Sequence, residues 1–161
     1  MDALQNRETP MAWIEDPIEN KSPAQYVTKL AQALGNVTIL QKGQVDLISK
    51  GKAATFGNAK GSNRRCGGQG DILAGIICGS FMHWAYNLAN EDPNGGARQH
   101  QHANGIMAGY AASLLTRTAN RLAFEAYGRS ATTPDILEKV GLAFAQTLET
   151  DEAACHASSL L

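Results

Sequence analysis

Apolar residues recur at helical spacing from Tyr26 through Val27, Leu30 and Ala31 to Leu34, a period that predicts one amphipathic helix. Ser22-Pro23 supplies a cap and a first-turn proline, and Gly35 a stop. The pattern then shortens. Val37 to Leu40 is an apolar run of the kind that makes a buried strand, and Val45 to Ser49 reads as a second strand. Lys50-Gly51-Lys52 turns the chain into a third, around Ala53 to Phe56. From Asp71 to about Asn87 the apolar positions Ile72, Leu73, Ile76, Ile77 and Phe81 cover more than one face. They predict a largely buried helix, with Ala74, Gly75 and Gly79 small enough for close packing on a sheet. Asn90 to Gly96 is a surface loop, and an Ala-rich helix follows from about Arg98 to Tyr127, broken or bent near its middle and ended by Gly128. Thr132-Thr133-Pro134-Asp135 opens a last amphipathic helix with the stripe Ile136, Leu137, Val140, Phe144 and Leu148.

Helices around a set of strands make this an α/β chain. Residues 1–20 mix Pro, acids and scattered apolar residues without a period and read as an irregular leader. Residues 21–150 form one domain, and residues 151–161 a flexible tail. At 161 residues, 43% hydrophobic and 18% charged, the chain can bury one real core. Its 14 basic and 15 acidic residues, a net charge of −1, argue against a nucleic-acid surface, and no stretch is apolar enough to span a membrane. Cys66, Cys78 and Cys155 form no C-x-x-C, so neither a disulfide framework nor a zinc site is expected. With no targeting segment, a reducing, cytoplasmic setting fits. His100 and His102 lack a third ligand and read as a solvated helix start, and His83 and His156 stand alone, so no metal ligand is assigned.

The chemistry concentrates in Gly61 to Asp71, G-S-N-R-R-C-G-G-Q-G-D. Glycines let main-chain N–H groups face a ligand, and a helix beginning near Asp71 adds unpaired N–H groups and its positive dipole end. The spacing is neither that of a P-loop, which needs Lys and then Ser or Thr where Asp71-Ile72 stands, nor that of G-x-G-x-x-G, because Leu73 occupies the third glycine position. What remains is an acid beside an anion hole, able to take a proton while the amides stabilise a phosphoryl group. A glycine-rich turn merely capped by an aspartate explains the same residues equally well. Lys42-Gly43, at the end of the first strand, is either a ligand-binding position or an exposed turn.

Four segments resemble one family: Q-K-G-Q-V-D at 41–46, G-S-N-R-R-C-G-G-Q-G-D at 61–71, F-M-H-W-A at 81–85, and S-L-L-T-R-T-A-N-R-L-A-F-E-A-Y-G-R-S-A-T-T-P-D at 113–135. They look like the eukaryotic ATP-dependent NAD(P)H-hydrate dehydratases of the ribokinase-like superfamily, over about residues 25–150. The resemblance implies a ribokinase-like three-layer α/β fold, incomplete at its N-terminal side. It also implies a repair activity that returns hydrated NADH or NADPH to the reduced cofactor while ATP becomes ADP and phosphate. By the same match Lys42, Gly43, Gln44, Val45 and Asp46 contact ATP, and Gly61, Ser62, Asn63, Arg64, Arg65, Cys66, Gly67, Gly68, Gln69 and Gly70 close around its phosphates. Asp71 is the catalytic acid–base group and meets the hydrated nucleotide. Mg²⁺ is expected to come with ATP, without a protein ligand. Family members are longer, so the resemblance also implies that the first strands and an Asn-containing substrate loop are missing here. A small-molecule kinase of the same superfamily and a catalytically inactive ATP-binding fragment are the competing readings, and self-association is left open.

Overall fold

The computed structural model describes residues 23–82 and 97–149. The leader, His83, the end of the helix expected to reach Asn87, the Asn90–Gly96 loop, His156 and the tail lie outside them. Helix α1 (Pro23–Ala33) buries Val27 and Ala31, four apart on one face. It ends because Gly35 (φ 81) and Asn36 (φ 63) turn left-handed, which lets their amides close on Gln32 O and Ala31 O.

Three strands follow: β1 (Ile39–Gln41), β2 (Asp46–Ser49) and β3 (Ala54–Gly57). They form one antiparallel sheet with β2 in the centre. Leu40 pairs with Ile48, and Asp46 with Gly57. Only β2 is well buried. β1 is half-buried, contrary to the expectation from its apolar run, because it pairs on one side only and Val37 before it is exposed. On β2, Asp46 and Ile48 share one face and Ser49 the other. The Asp46–Ile48 face meets the long helix α3 (Ala97–Tyr127), while Ser49 Oγ lies 3.1 Å from Thr28 Oγ1 of α1. The two helices thus cover opposite faces of the sheet.

Helix α2 (Gln69–Gly75) continues without a break as a π-helical stretch, Ile76–Phe81. It is less buried than its sequence predicts: Leu73 is buried and Ile72, Ile76 and Ile77 are half-buried. Ala74, Gly75 and Gly79 are exposed, and a side chain at either glycine would meet open space rather than a sheet. Helix α3 is one continuous element of 31 residues, so of the break or bend expected near its middle the break does not occur. It packs through alanines: Ala108, Ala111, Ala112, Ala119 and Ala123 are all buried, and the small side chains bring neighbouring elements close without deforming the helix.

Gly128, at φ 57, ends α3 and begins a short 3₁₀ turn. The last helical segment is two helices, α4 (Thr133–Glu138) and α5 (Val140–Thr147), separated at Lys139. Ile136 and Ala143 are its buried positions, with Val140 half-buried between them. Leu137 and Phe144, expected in the stripe, are exposed, because the buried face is narrower than the five apolar residues suggest. T-T-P-D starts a helix as expected, and Thr132 and Asp135 go further and form a reciprocal capping box, whose hydrogen bonds hold the Asp135 carboxyl below its ordinary range. No helix among the described residues is long and apolar enough to cross a membrane.

Candidate functional site

A cavity of about 330 Å³ opens between the β1–β2 loop, the β3–α2 loop, the start of α2 and one face of α3. The β1–β2 loop contributes Lys42 and Gly43, and β2 contributes Asp46 at its first position. The β3–α2 loop contributes Gly61, Ser62, Arg64, Arg65 and Cys66, and α2 contributes Gln69, Gly70 and Leu73. The two glycine-containing segments singled out in the sequence therefore share one cavity. They reach it across an antiparallel hairpin, so the rule for the carboxyl ends of parallel strands, invoked for Lys42, does not apply. The Lys42 ammonium lies against Gly70, where an added Cβ would come within 3.0 Å of Nζ.

Gln44, Val45, Asn63, Gly67, Gly68 and Asp71 do not line this cavity. Asp71 is exposed, on the third residue of α2, where its charge complements the helix dipole. The Asp71 amide is already committed to Gly68 O at 3.0 Å, and the Gln69 amide reaches Cys66 O at 3.5 Å. The amides of Gly67, Gly68 and Gly70 have no backbone acceptor among the described residues. Gly68, the residue before α2, needs its glycine: φ is 89, and a Cβ would lie 3.1 Å from Thr133 Cγ2.

Helix α3 forms the remaining wall with Ser113, Thr116, Arg117 and Asn120. None of these was singled out from the sequence. A signal was present, since their spacing of i, i+3, i+4 and i+7 is a polar stripe on an otherwise alanine-rich helix. Asn120, buried, holds the start of the glycine-rich loop: its Oδ1 accepts from Ser62 N at 2.8 Å and Ser62 Oγ at 2.5 Å, and its Nδ2 donates to Arg64 O at 3.3 Å. Farther along the loop, Arg64 Nε (3.4 Å) and Cys66 Sγ (3.1 Å) donate to Ala131 O, and the Thr133 hydroxyl donates to Gly67 O.

Asp46 is buried and fully engaged. Its Oδ2 accepts from Ser113 Oγ at 2.6 Å and Arg117 Nε at 2.9 Å, and its Oδ1 accepts from Arg117 Nη2 at 2.8 Å and Gly43 N at 2.9 Å. Burial pushes the Asp46 carboxyl up, but the bonds from Arg117, Ser113 and Gly43 outweigh it and hold the group below its ordinary range. Arg117 is correspondingly raised, first by its bond to Asp46. Because Asp46 cancels Arg117, the charges left over on the wall are Lys42, Arg64 and Arg65. A wall with this surplus, the Gly70 amide and, among the described residues, no free carboxylate suits a polyanion.

The described residues contain no group of three or more His, Cys, Asp or Glu placed to hold a metal ion. The cavity's own carboxylate, Asp46, already has four donors, so the wall does not fit a protein-held Mg²⁺.

Fold and cavity together define an α/β protein with a basic, glycine-lined pocket. Comparison with known proteins is specific: the family model described as NAD(P)H-hydrate dehydratase matches residues 10–142, and the chain belongs to that family. It is 44% identical over 139 residues to the ATP-dependent (S)-NAD(P)H-hydrate dehydratase of Rattus norvegicus, covering 86% of this chain and 38% of the relative. The human protein of the same name is 40% identical over 139 residues, with the same coverage. That of Nematostella vectensis is 44% identical over 115 residues, 71% of this chain and 29% of the relative. The chain thus spans less than two-fifths of the length of these relatives.

Proposed function

We propose that this chain forms the ATP side of an ATP-dependent NAD(P)H-hydrate dehydratase, built on part of a ribokinase-like three-layer fold and acting in the cytoplasm. The observation that carries the reading is the convergence of Lys42, Arg64, Arg65 and Gly70 on one cavity in a member of this family. In this reading the cations and the Gly70 amide receive the nucleotide phosphates. The γ-phosphoryl group passes to the hydroxyl of hydrated NADH or NADPH, whose proton Asp71 accepts, and ADP leaves. Loss of phosphate together with a neighbouring ring proton then restores the double bond. Hydroxide is a poor leaving group and phosphate a good one, which is what ATP contributes. Magnesium would enter with the nucleotide, held by phosphates and water, and no step here depends on it.

A second reading, ATP binding without turnover, draws on two observations: Asp71 lies off the cavity wall, and the chain spans a minor share of its relatives. One experiment separates the two. Titration calorimetry with ATP should give saturable binding, and incubation with NADH hydrate and ATP should restore the absorbance of reduced nicotinamide. The D71A variant should lose that recovery while still binding ATP. Binding without recovery in wild type selects the second reading, and absence of binding rejects both.

A further inference from the structure

Arg117 sits on the cavity wall of an anion site, yet it has nothing left to offer an anion. A guanidinium carries five N–H donors. Nε and one Nη2 hydrogen take the two oxygens of Asp46, at 2.9 and 2.8 Å, and the other Nη2 hydrogen takes Gly43 O at 2.9 Å. The two Nη1 hydrogens take Gln44 O at 3.1 Å and Ala59 O at 3.3 Å. All five are spent, and three go to main-chain carbonyls in two different loops. Asp46, with four donors of its own, is closed in the same way.

We infer that Arg117 is a positioning residue for the nucleotide site proposed above. From α3 it fixes the Lys42–Gly43 loop and the loop entering Gly61 at one separation, and Asp46 serves the site by orienting Arg117 rather than by touching the nucleotide. The inference rests on that reading of the cavity but differs from the family-based expectation that Asp46 contacts ATP. Planarity explains why arginine is needed. A lysine at 117 keeps the charge but has three donors on a tetrahedral nitrogen, and cannot hold a carboxylate through two parallel bonds while reaching three carbonyls.

The test uses the whole chain as wild type, R117K, D46N and the double variant. Without nucleotide, amide hydrogen exchange should rise at least about tenfold in peptides covering 42–46 and 58–61 of R117K, with α1 unchanged. Unchanged exchange in those loops overturns the inference. With ATP, calorimetry should show Kd raised about 10–100-fold in each single variant. The double variant should be no weaker than the worse single one, because both substitutions dismantle one device. Losses that multiply would mean that Asp46 meets the nucleotide itself, and would overturn the assignment. If R117K does not fold, S113A, which removes one neutral donor to Asp46, should give the same pattern with a smaller rise in Kd. A wild-type chain that binds no ATP rejects the nucleotide reading instead, and loop exchange alone then decides the role of Arg117.

Discussion

Gly57 is the residue most sharply constrained by the clamp around Asp46, and replacing it by alanine tests the packing directly. Gly57 pairs with Asp46 across β2 and β3, and an added Cβ would stand 2.5 Å from Ser113 Oγ and 3.2 Å from Ser113 Cβ. Its backbone is not left-handed, so alanine suffers no strain there and gains about 0.4–1 kcal/mol from a less flexible unfolded chain. Against this, overpacking costs about 1–3 kcal/mol. Turning the Ser113 hydroxyl away removes its 2.6 Å bond to the Asp46 carboxylate, about 1.5–3 kcal/mol for a charged acceptor. The balance is a net loss of about 2–4 kcal/mol. Urea unfolding followed by circular dichroism should show it as a lowered midpoint, on the order of 1–2 M. Adding S113A removes the atom at 2.5 Å, so the G57A/S113A chain should lose less than the two single losses combined, by about 1 kcal/mol or more. A G57A chain as stable as wild type, or additive losses in the pair, would show that Ser113 is not the group in contact with Gly57.

Three further outcomes are expected. N120A should cost about 2–3 kcal/mol in the same unfolding assay, because Ser62 and Arg64 lose three hydrogen bonds but can partly recover water. N120D keeps both bonds accepted from Ser62 but sets a carboxylate oxygen against Arg64 O at a buried position, so it should also cost about 1–3 kcal/mol and should weaken ATP about tenfold by placing a negative charge among the cations. Asp46 titrates below its ordinary value of 3.8 when folded, so the unfolded chain takes up the proton first as pH falls. Its stabilising contribution should be whole above pH 3.8 and lost as pH drops through the lower folded value. The stability gap between wild type and D46N should therefore hold from neutral pH down to that range and close below it.

Much of the fold is legible along the chain because it is locally encoded. Helix α1, the three strands and the T-T-P-D cap all follow from spacing, turn residues and a capping pair within a few positions of one another. The glycines of 61–70 stand out for the same reason, whereas local pattern leaves Lys42 open between a ligand position and a turn, and Arg64 enters only through the family resemblance. The clamp was not, since Arg117 is separated from Asp46 by 71 residues and only the crossing of α3 over the sheet joins them. Helix α2 and the last segment are less buried than their apolar residues predict. Periodicity marks which residues are apolar, but Leu137, Phe144, Ala74 and Gly79 are exposed because no described element packs over them. Asp71, the residue on which the sequence placed the most chemistry, lies between the wall residues Gly70 and Leu73 but is exposed and does not line the cavity.

Both loops of the site take their positions from a single rod, through side chains only three residues apart on α3, Arg117 and Asn120. An α-helix turns by about 100° per residue. One residue inserted or deleted between Gly109, which rests on Ile48, and Ser113 would swing the whole polar stripe a quarter-turn off both loops. Point changes can be absorbed one contact at a time, but a shift of phase there removes every contact at once, so the length of that stretch is as much a part of the site as any residue in it.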